Sequence, residues 1–134
     1  MSIQDMIAQL GQGMLTSVLI YALTLIGAVP LALPLALARG GRSKIARLLT
    51  GAYISFMRGT PLMLQLIAVY FGPWYLFRIR ISDGYRFYAV IIAFVLNYAA
   101  YFAEIYRAGI AAVPKGQREA AAVLGYTNAQ AFFR

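Results

Sequence analysis

No charged residue falls between Met6 and Ala38. The apolar part of that run, Met14 to Ala38, would measure about 38 Å as an α-helix, enough to cross a hydrocarbon core of about 30 Å. Ala36-Leu37-Ala38 has the pattern of a leader cleavage site. However, no Lys or Arg precedes the run, and it exceeds the apolar core of a leader, so it reads as a first membrane span. Two further uncharged runs, Gly59 to Phe77 and Phe87 to Ala103, lie near the lower length limit for a spanning helix. The expected fold is therefore an all-α integral membrane protein with spans at about 14–38, 60–77 and 87–106. A hydrophobic share of 62% and a charged share of only 12% over 134 residues agree with that class.

The residue inventory excludes most catalysis. With no Cys and no His, there is no disulfide, thiol nucleophile, imidazole base or Cys/His zinc site. The four acids, Asp5, Asp83, Glu104 and Glu119, are too scattered for a carboxylate pair or a metal cage. No catalytic residue, metal ligand or cofactor is expected in the chain itself.

Charge placement gives an orientation. Arg39, Arg42, Lys44 and Arg47 crowd the first connection, and Arg107, Lys115, Arg118 and Arg134 follow the third span. The positive-inside rule puts both groups on the cytoplasmic side and the N-terminus outside. Arg78, Arg80 and Arg86 in the second connection run against that bias. The aromatics around it, Tyr70, Phe71, Trp74, Tyr75 and Phe77 before and Tyr85, Phe87 and Tyr88 after, read as an interfacial belt. The net charge of +8 is thus accounted for by topology. A nucleic-acid stripe would need the cations on one soluble face, and none is expected.

Pro30 and Pro34 are tolerated in a membrane helix as kinks. Ala28, Ala32, Ala36 and Gly40 recur every four residues, a small-residue ridge that lets another helix approach closely. At Arg58-Gly59-Thr60-Pro61 the helix should break or start, since Gly removes side-chain constraint and Pro removes a donor. Two geometries fit. Leu48 to Met57 is an interfacial helix with Arg58 at the headgroups, or Leu48 to Phe77 is one broken helix with Arg58 deeper. A broken membrane helix exposes backbone groups that bind substrates in transporters, whereas a simple helix start would carry Pro in its first turn.

On the third span Asn97, Tyr101, Glu104 and Ala108 share one face, apart from Val90, Ile91, Phe94 and Val95. A buried amide and carboxylate turn toward a partner helix, a polar cavity or a permeation path. Glu104 also has Arg107 three residues on as a neutralising partner. Asn97 suits an interhelical hydrogen bond.

Pro114 should stop this helix, and Gln117 to Leu124 should form a short helix with Glu119 in its first turn. Gly125 suits a left-handed stop. Thr127 and Gln130 have capping-box spacing, so a further helix should begin at Asn128. The chain stops as that helix begins, so further sequence is expected downstream. Ala120, Ala121 and Ala122 give the short helix a small-residue surface suited to docking a soluble partner.

Gly116-Gln117-Arg118-Glu119-Ala120-Ala121-Ala122-Val123-Leu124-Gly125 resembles the E-A-A-x-x-x-G loop of the permease subunits of bacterial binding-protein-dependent ABC importers. Arg58-Gly59-Thr60-Pro61 resembles the R-G-T-P element of their polar amino-acid branch, which handles His, Arg, Lys, Gln and similar substrates. Ala103-Glu104-Ile105-Tyr106-Arg107-Ala108-Gly109-Ile110 resembles that branch's A-E-I-x-R-G-G-I stretch, with Ala108 in place of a common Gly. Three ordered motifs cover the chain, while the family's following I-x-L-P element and further spans lie beyond Arg134.

The resemblance implies a partial type I ABC importer transmembrane domain over 1–134, with a coupling-helix loop at about 114–127. It also implies a homo- or heterodimeric permease partner, cytoplasmic ABC ATPase subunits, an external solute-binding protein and a polar amino acid as substrate, in a bacterial plasma membrane. The chain would not be an enzyme, since Gly40-Gly41-Arg42-Ser43-Lys44 lacks phosphate-loop spacing and ATP must be hydrolysed by another subunit. Gly116, Glu119, Ala120, Ala121 and Gly125 would couple to the ATPase. Thr60, Gln65, Asn97, Tyr101 and Glu104 would line the substrate path. A second reading, from another class, is a non-transporting remnant or small membrane interaction protein that binds other subunits through its packing ridge.

Overall fold

The computed structural model describes residues 2–82 and 84–133. Asp83 and Arg134, assigned above to the scattered acids and to the basic residues after the third span, lie outside the described residues. Six helices and no strand are present among the described residues.

The first helix, α1, spans Ile3–Gly40 and starts well before Met14. Its early start has a local cause. The Ser2 hydroxyl accepts the Asp5 N–H at 3.2 Å and the Asp5 carboxylate accepts the Ser2 N–H at 3.0 Å, a reciprocal cap that satisfies donors at the first turn. The helix continues through Pro30 and Pro34. Ala28, Ala32 and Ala36 are buried, as the ridge predicts, but Gly40 at its end is exposed.

The second helix, α2 (Lys44–Gly59), and the third, α3 (Leu62–Phe77), meet at a bend of 108°. The helix breaks at residues 58–61 as expected, and α2 starts four residues earlier than Leu48 because the Ser43 hydroxyl caps it through the Ala46 N–H at 3.3 Å. Among the described residues only α1 and α4 (Tyr85–Ala112) are each long and apolar enough to span alone. The pair α2 and α3 meets that criterion jointly, so the expected second span at 60–77 is half of a bent element.

Helices α1 and α4 run parallel and end on the same side. Gly27 lies against Val95, Arg39 reaches Glu104, and Leu37 shares a cavity wall with Ile110. The contact is built from small residues on both sides. Ala32 and Ala36 of α1 pack with Ala100 and Ala103 of α4, all at most 2% exposed, while Ala89 of α4 borders Leu66, Ile67 and Tyr70 of α3. Among the described residues no large side chain is fully buried. Cohesion therefore rests on close backbone approach and dispersion contacts rather than on large apolar side chains.

At the other end, Tyr70 stacks on Tyr85 at 6.2 Å and meets Phe71 edge-on at 4.8 Å, within the expected aromatic belt. Beyond α4, Pro114 takes an extended conformation and starts α5 (Lys115–Val123), its carbonyl accepting the Gln117 N–H at 3.1 Å. That start is two residues earlier than expected, so Glu119 sits in the second turn, not the first, and its dipole benefit shrinks. Gly125 ends α5 with φ of 79°, while the Tyr126 N–H reaches the Ala121 carbonyl and the Gly125 N–H the Ala122 carbonyl, both at 3.0 Å. Thr127 and Gln130 form the expected capping box before α6 (Asn128–Phe133).

Candidate functional site

A proline inside or just after a helix removes the N–H that the carbonyl four residues earlier would have accepted. Buried in a bilayer, such an orphaned carbonyl needs another donor. Pro61 orphans the Met57 carbonyl at the bend. The Gln65 side-chain amide donates to it at 3.0 Å and the Asn97 side-chain amide at 3.1 Å. Gln65 Nε2 also lies 2.7 Å from Thr60 Oγ1 and 3.2 Å from the Thr60 carbonyl, and Asn97 Nδ2 donates to Gln65 Oε1 at 2.9 Å. Three of the five residues expected in the substrate path, Thr60, Gln65 and Asn97, therefore form one network that closes the bend. Gln65 is 8% and Asn97 5% exposed, so the interhelical bond expected of Asn97 is present.

The same rule recurs at Pro73. It orphans the Val69 carbonyl, and the Tyr85 hydroxyl from α4 donates to it at 3.0 Å. At Pro114 the orphan is the Ile110 carbonyl, which takes a bond from Arg118 Nη2 at 2.8 Å.

Tyr101 and Glu104 lie one to two turns further along α4, on the wall of a separate polar cavity of about 450 Å³ shared with Arg39, Arg58 and Gly59. The Arg58 guanidinium sits 5.4 Å from the Tyr101 ring centroid, a cation–π geometry. Glu104 Oε2 accepts two bonds from Arg107, Nε at 3.0 Å and Nη2 at 2.7 Å, which is the expected neutralising pair. Its other oxygen, Oε1, is 3.9 Å from Arg39 Nε, a buried donor with no hydrogen-bond partner. The cavity thus presents two guanidinium groups, a phenol ring and one carboxylate that is already paired with Arg107. Ala108, placed on the same stripe, is exposed. Motif residues Gly116, Glu119 and Ala120 of α5 are exposed, as is Gly125, while Ala121 is half-buried.

Sequence reasoning missed Arg39, Tyr85 and Arg118 as structural partners. For Tyr85 and Arg118 the available signal was the position four residues before Pro73 and Pro114, which marks a carbonyl left without its helical donor; no such signal marks Arg39.

A parallel helix pair, a sharply bent helix pair stapled by amides and an exposed short helix where the parallel pair ends define a helical membrane protein. The family described as the binding-protein-dependent transport system inner membrane component matches residues 28–134, and the chain belongs to it. It is 44% identical over 118 residues to the L-cystine transport system permease protein TcyL of Bacillus subtilis (strain 168), covering 86% of this chain and 49% of that one. It is 53% identical over 73 residues to the arginine transport system permease protein ArtQ of the same organism, covering 54% and 32% of the two chains. Against the putative glutamine transport system permease protein GlnP of Rickettsia conorii (strain ATCC VR-613 / Malish 7), identity is 46% over 90 residues, or 67% and 40% of the chains. The chain spans half or less of the length of these curated relatives. A solved structure described as the crystal structure of an amino acid ABC transporter with histidines matches at a TM-score of 0.78 and 36% identity, covering 99% of this chain and 62% of that one. The fold expected from the three motifs is the fold found.

Proposed function

We propose that the chain is part of the permease of an ATP-driven polar amino-acid importer, forming a section of the translocation pathway and receiving motion from a separate ATPase. The observation that carries this reading is the exposed α5. It bears Glu119-Ala120-Ala121 and ends at the left-handed Gly125 on the side where α1 and α4 both terminate. That side is cytoplasmic and the N-terminus is outside, as the cations around Arg39 to Arg47 and after Arg107 indicate. The partners are a second permease, identical or different, two ABC ATPase subunits and an external solute-binding protein. The relatives, named for arginine, cystine and glutamine transport, support a polar amino acid as substrate.

In this mechanism closure of the ATPase pair presses on Gly116, Glu119, Ala120, Ala121 and Gly125 and rocks the spans between inward-facing and outward-facing states. Tyr101 and Glu104 meet the passing amino acid in the cavity beside Arg58. Thr60, Gln65 and Asn97 shape the wall of that path by holding the bend. The test is uptake per ATP hydrolysed in reconstituted complexes of the full natural permease with its ATPase and binding protein. A side chain at Gly125 meets nothing within 4 Å in the chain itself, so Gly125→Ala carries the backbone strain of about 1–2 kcal/mol with little bulk. Gly125→Arg adds bulk at the docking turn. The expected result is that Arg abolishes uptake per ATP while Ala retains most of it; equal coupling in both variants would refute the docking role. Glu104→Gln should change substrate preference, and an unaltered preference would remove Glu104 from the path.

A further inference from the structure

We infer that Arg118 is the positioning residue that ties the coupling helix to the spans, so that movement of α5 is transmitted to α4 through its guanidinium group. The inference rests on the coupling role proposed for α5. Three observations carry it. The Ile110 carbonyl near the end of α4 has no helical donor, because residue 114 is proline. Arg118, eight residues on and in the next helix, supplies that donor at 2.8 Å. Among the described residues this is the single side-chain hydrogen bond from α5 to another element, and α5 contributes no buried residue that could fix its position by packing.

The geometry also says what the bond controls. Between α4 and α5 stand only Val113 and Pro114, both with extended ψ, of 120° and 140°. Pro114 has a fixed φ and holds Val113 in the extended region, so ψ of Pro114 is the main soft rotation about which α5 can swing. Arg118 spans that joint and converts a hinge into a strut. Its side chain borders two cavities, of about 500 and 480 Å³, whose walls include Leu37 and Tyr126 in the first and Arg39 and Arg107 in the second. The open space on both sides leaves the helix free to move once the bond is gone. A charged donor on a carbonyl is among the stronger neutral-acceptor hydrogen bonds, and it works here at a helix C-terminus, where a positive charge is also favoured.

The test compares Arg118→Met, which keeps an unbranched apolar side chain and removes its donors, with Arg118→Lys, which keeps charge and donor. Both are placed in the full permease reconstituted with its ATPase and binding protein. Arg118→Met should lower uptake per ATP by about tenfold, the population change expected from losing one hydrogen bond with a charged donor. Arg118→Lys should recover part of it. These 134 residues hold no Cys, so, with any thiol elsewhere in the complex replaced, spin labels at Ala111→Cys and Val123→Cys report the α4–α5 separation directly. Its distribution should be narrow with Arg118 intact and broad in the Arg118→Met variant, while the melting temperature of the complex stays unchanged. A lowered melting temperature with unchanged uptake per ATP would reduce Arg118 to a stabilising contact and overturn the inference. Gly125→Arg, run in parallel, separates the two levels. If it uncouples and Arg118→Met does not, only the strut fails; if neither uncouples, the coupling role of α5 fails with it.

Discussion

The two N–H groups of Gln65 Nε2 are shared among three acceptors within reach, and its oxygen accepts from Asn97. Removing it leaves the Met57 carbonyl with Asn97 alone and strips the Thr60 carbonyl of its side-chain donor. Removing Asn97 leaves Gln65 still bonded to Met57. Gln65→Ala should therefore destabilise the folded protein by about 1–3 kcal/mol and Asn97→Ala by about 1 kcal/mol, the ordinary range for lost buried hydrogen bonds and for interhelical ones in membranes. Denaturant titration in mixed micelles measures both. A larger loss for Asn97→Ala would mean that the staple is centred on α4 and not on the bend. The polar character of Gln65 and Asn97 is visible in the sequence, and so is their shared preference for the protein interior. Their mutual bond is not, because residues 32 apart in sequence meet only once the bend sets the direction of α3 against α4.

At the scale of elements, the α1–α4 contact sets the tightest tolerance. A Cβ added to Gly27 would lie 2.7 Å from Val95 Cγ2 and 3.1 Å from Cγ1. Valine is branched at Cβ and has little rotamer freedom in a helix, so the strain must pass to the backbone. Gly27→Ala should cost about 1–3 kcal/mol by overpacking, and Gly27→Ala with Val95→Ala should recover most of it. Thermal unfolding in detergent reports the pair, and no recovery in the double variant would place the strain elsewhere. The four-residue repeat of α1 makes half of this interface legible: Ala28, Ala32 and Ala36 are where the ridge predicts. The facing half is hidden in the sequence, since Ala100 and Ala103 are interleaved with larger residues that draw attention to the other faces of α4. The early start of α5 escapes a pattern reading for a different reason. Pro114 both ends one helix and precedes the next, and periodicity alone assigns it only to the first. Its effect is to move Glu119 from the first turn to the second.

For the whole molecule, orientation is the property with the widest reach, since it decides which end the ATPase and the solute-binding protein proposed above would meet. Neither Gln4 nor Gln117 is buried, and they lie at opposite ends of the parallel pair. In the otherwise Cys-free chain, Gln4→Cys should react with a membrane-impermeant maleimide in intact cells, and Gln117→Cys only after permeabilisation. The reverse pattern would invert the topology and move α5 away from the cytoplasm.

The near absence of bulky buried side chains also shapes what this protein can tolerate through evolution. In a water-soluble domain, shrinking a core residue opens a hole and is the commonest way to do harm. Here the interior positions are already minimal, so there is little left to delete. Harm runs the other way, through each added methyl group, and drift at Ala32, Ala36, Ala100 or Ala103 has almost no direction open to it except toward glycine.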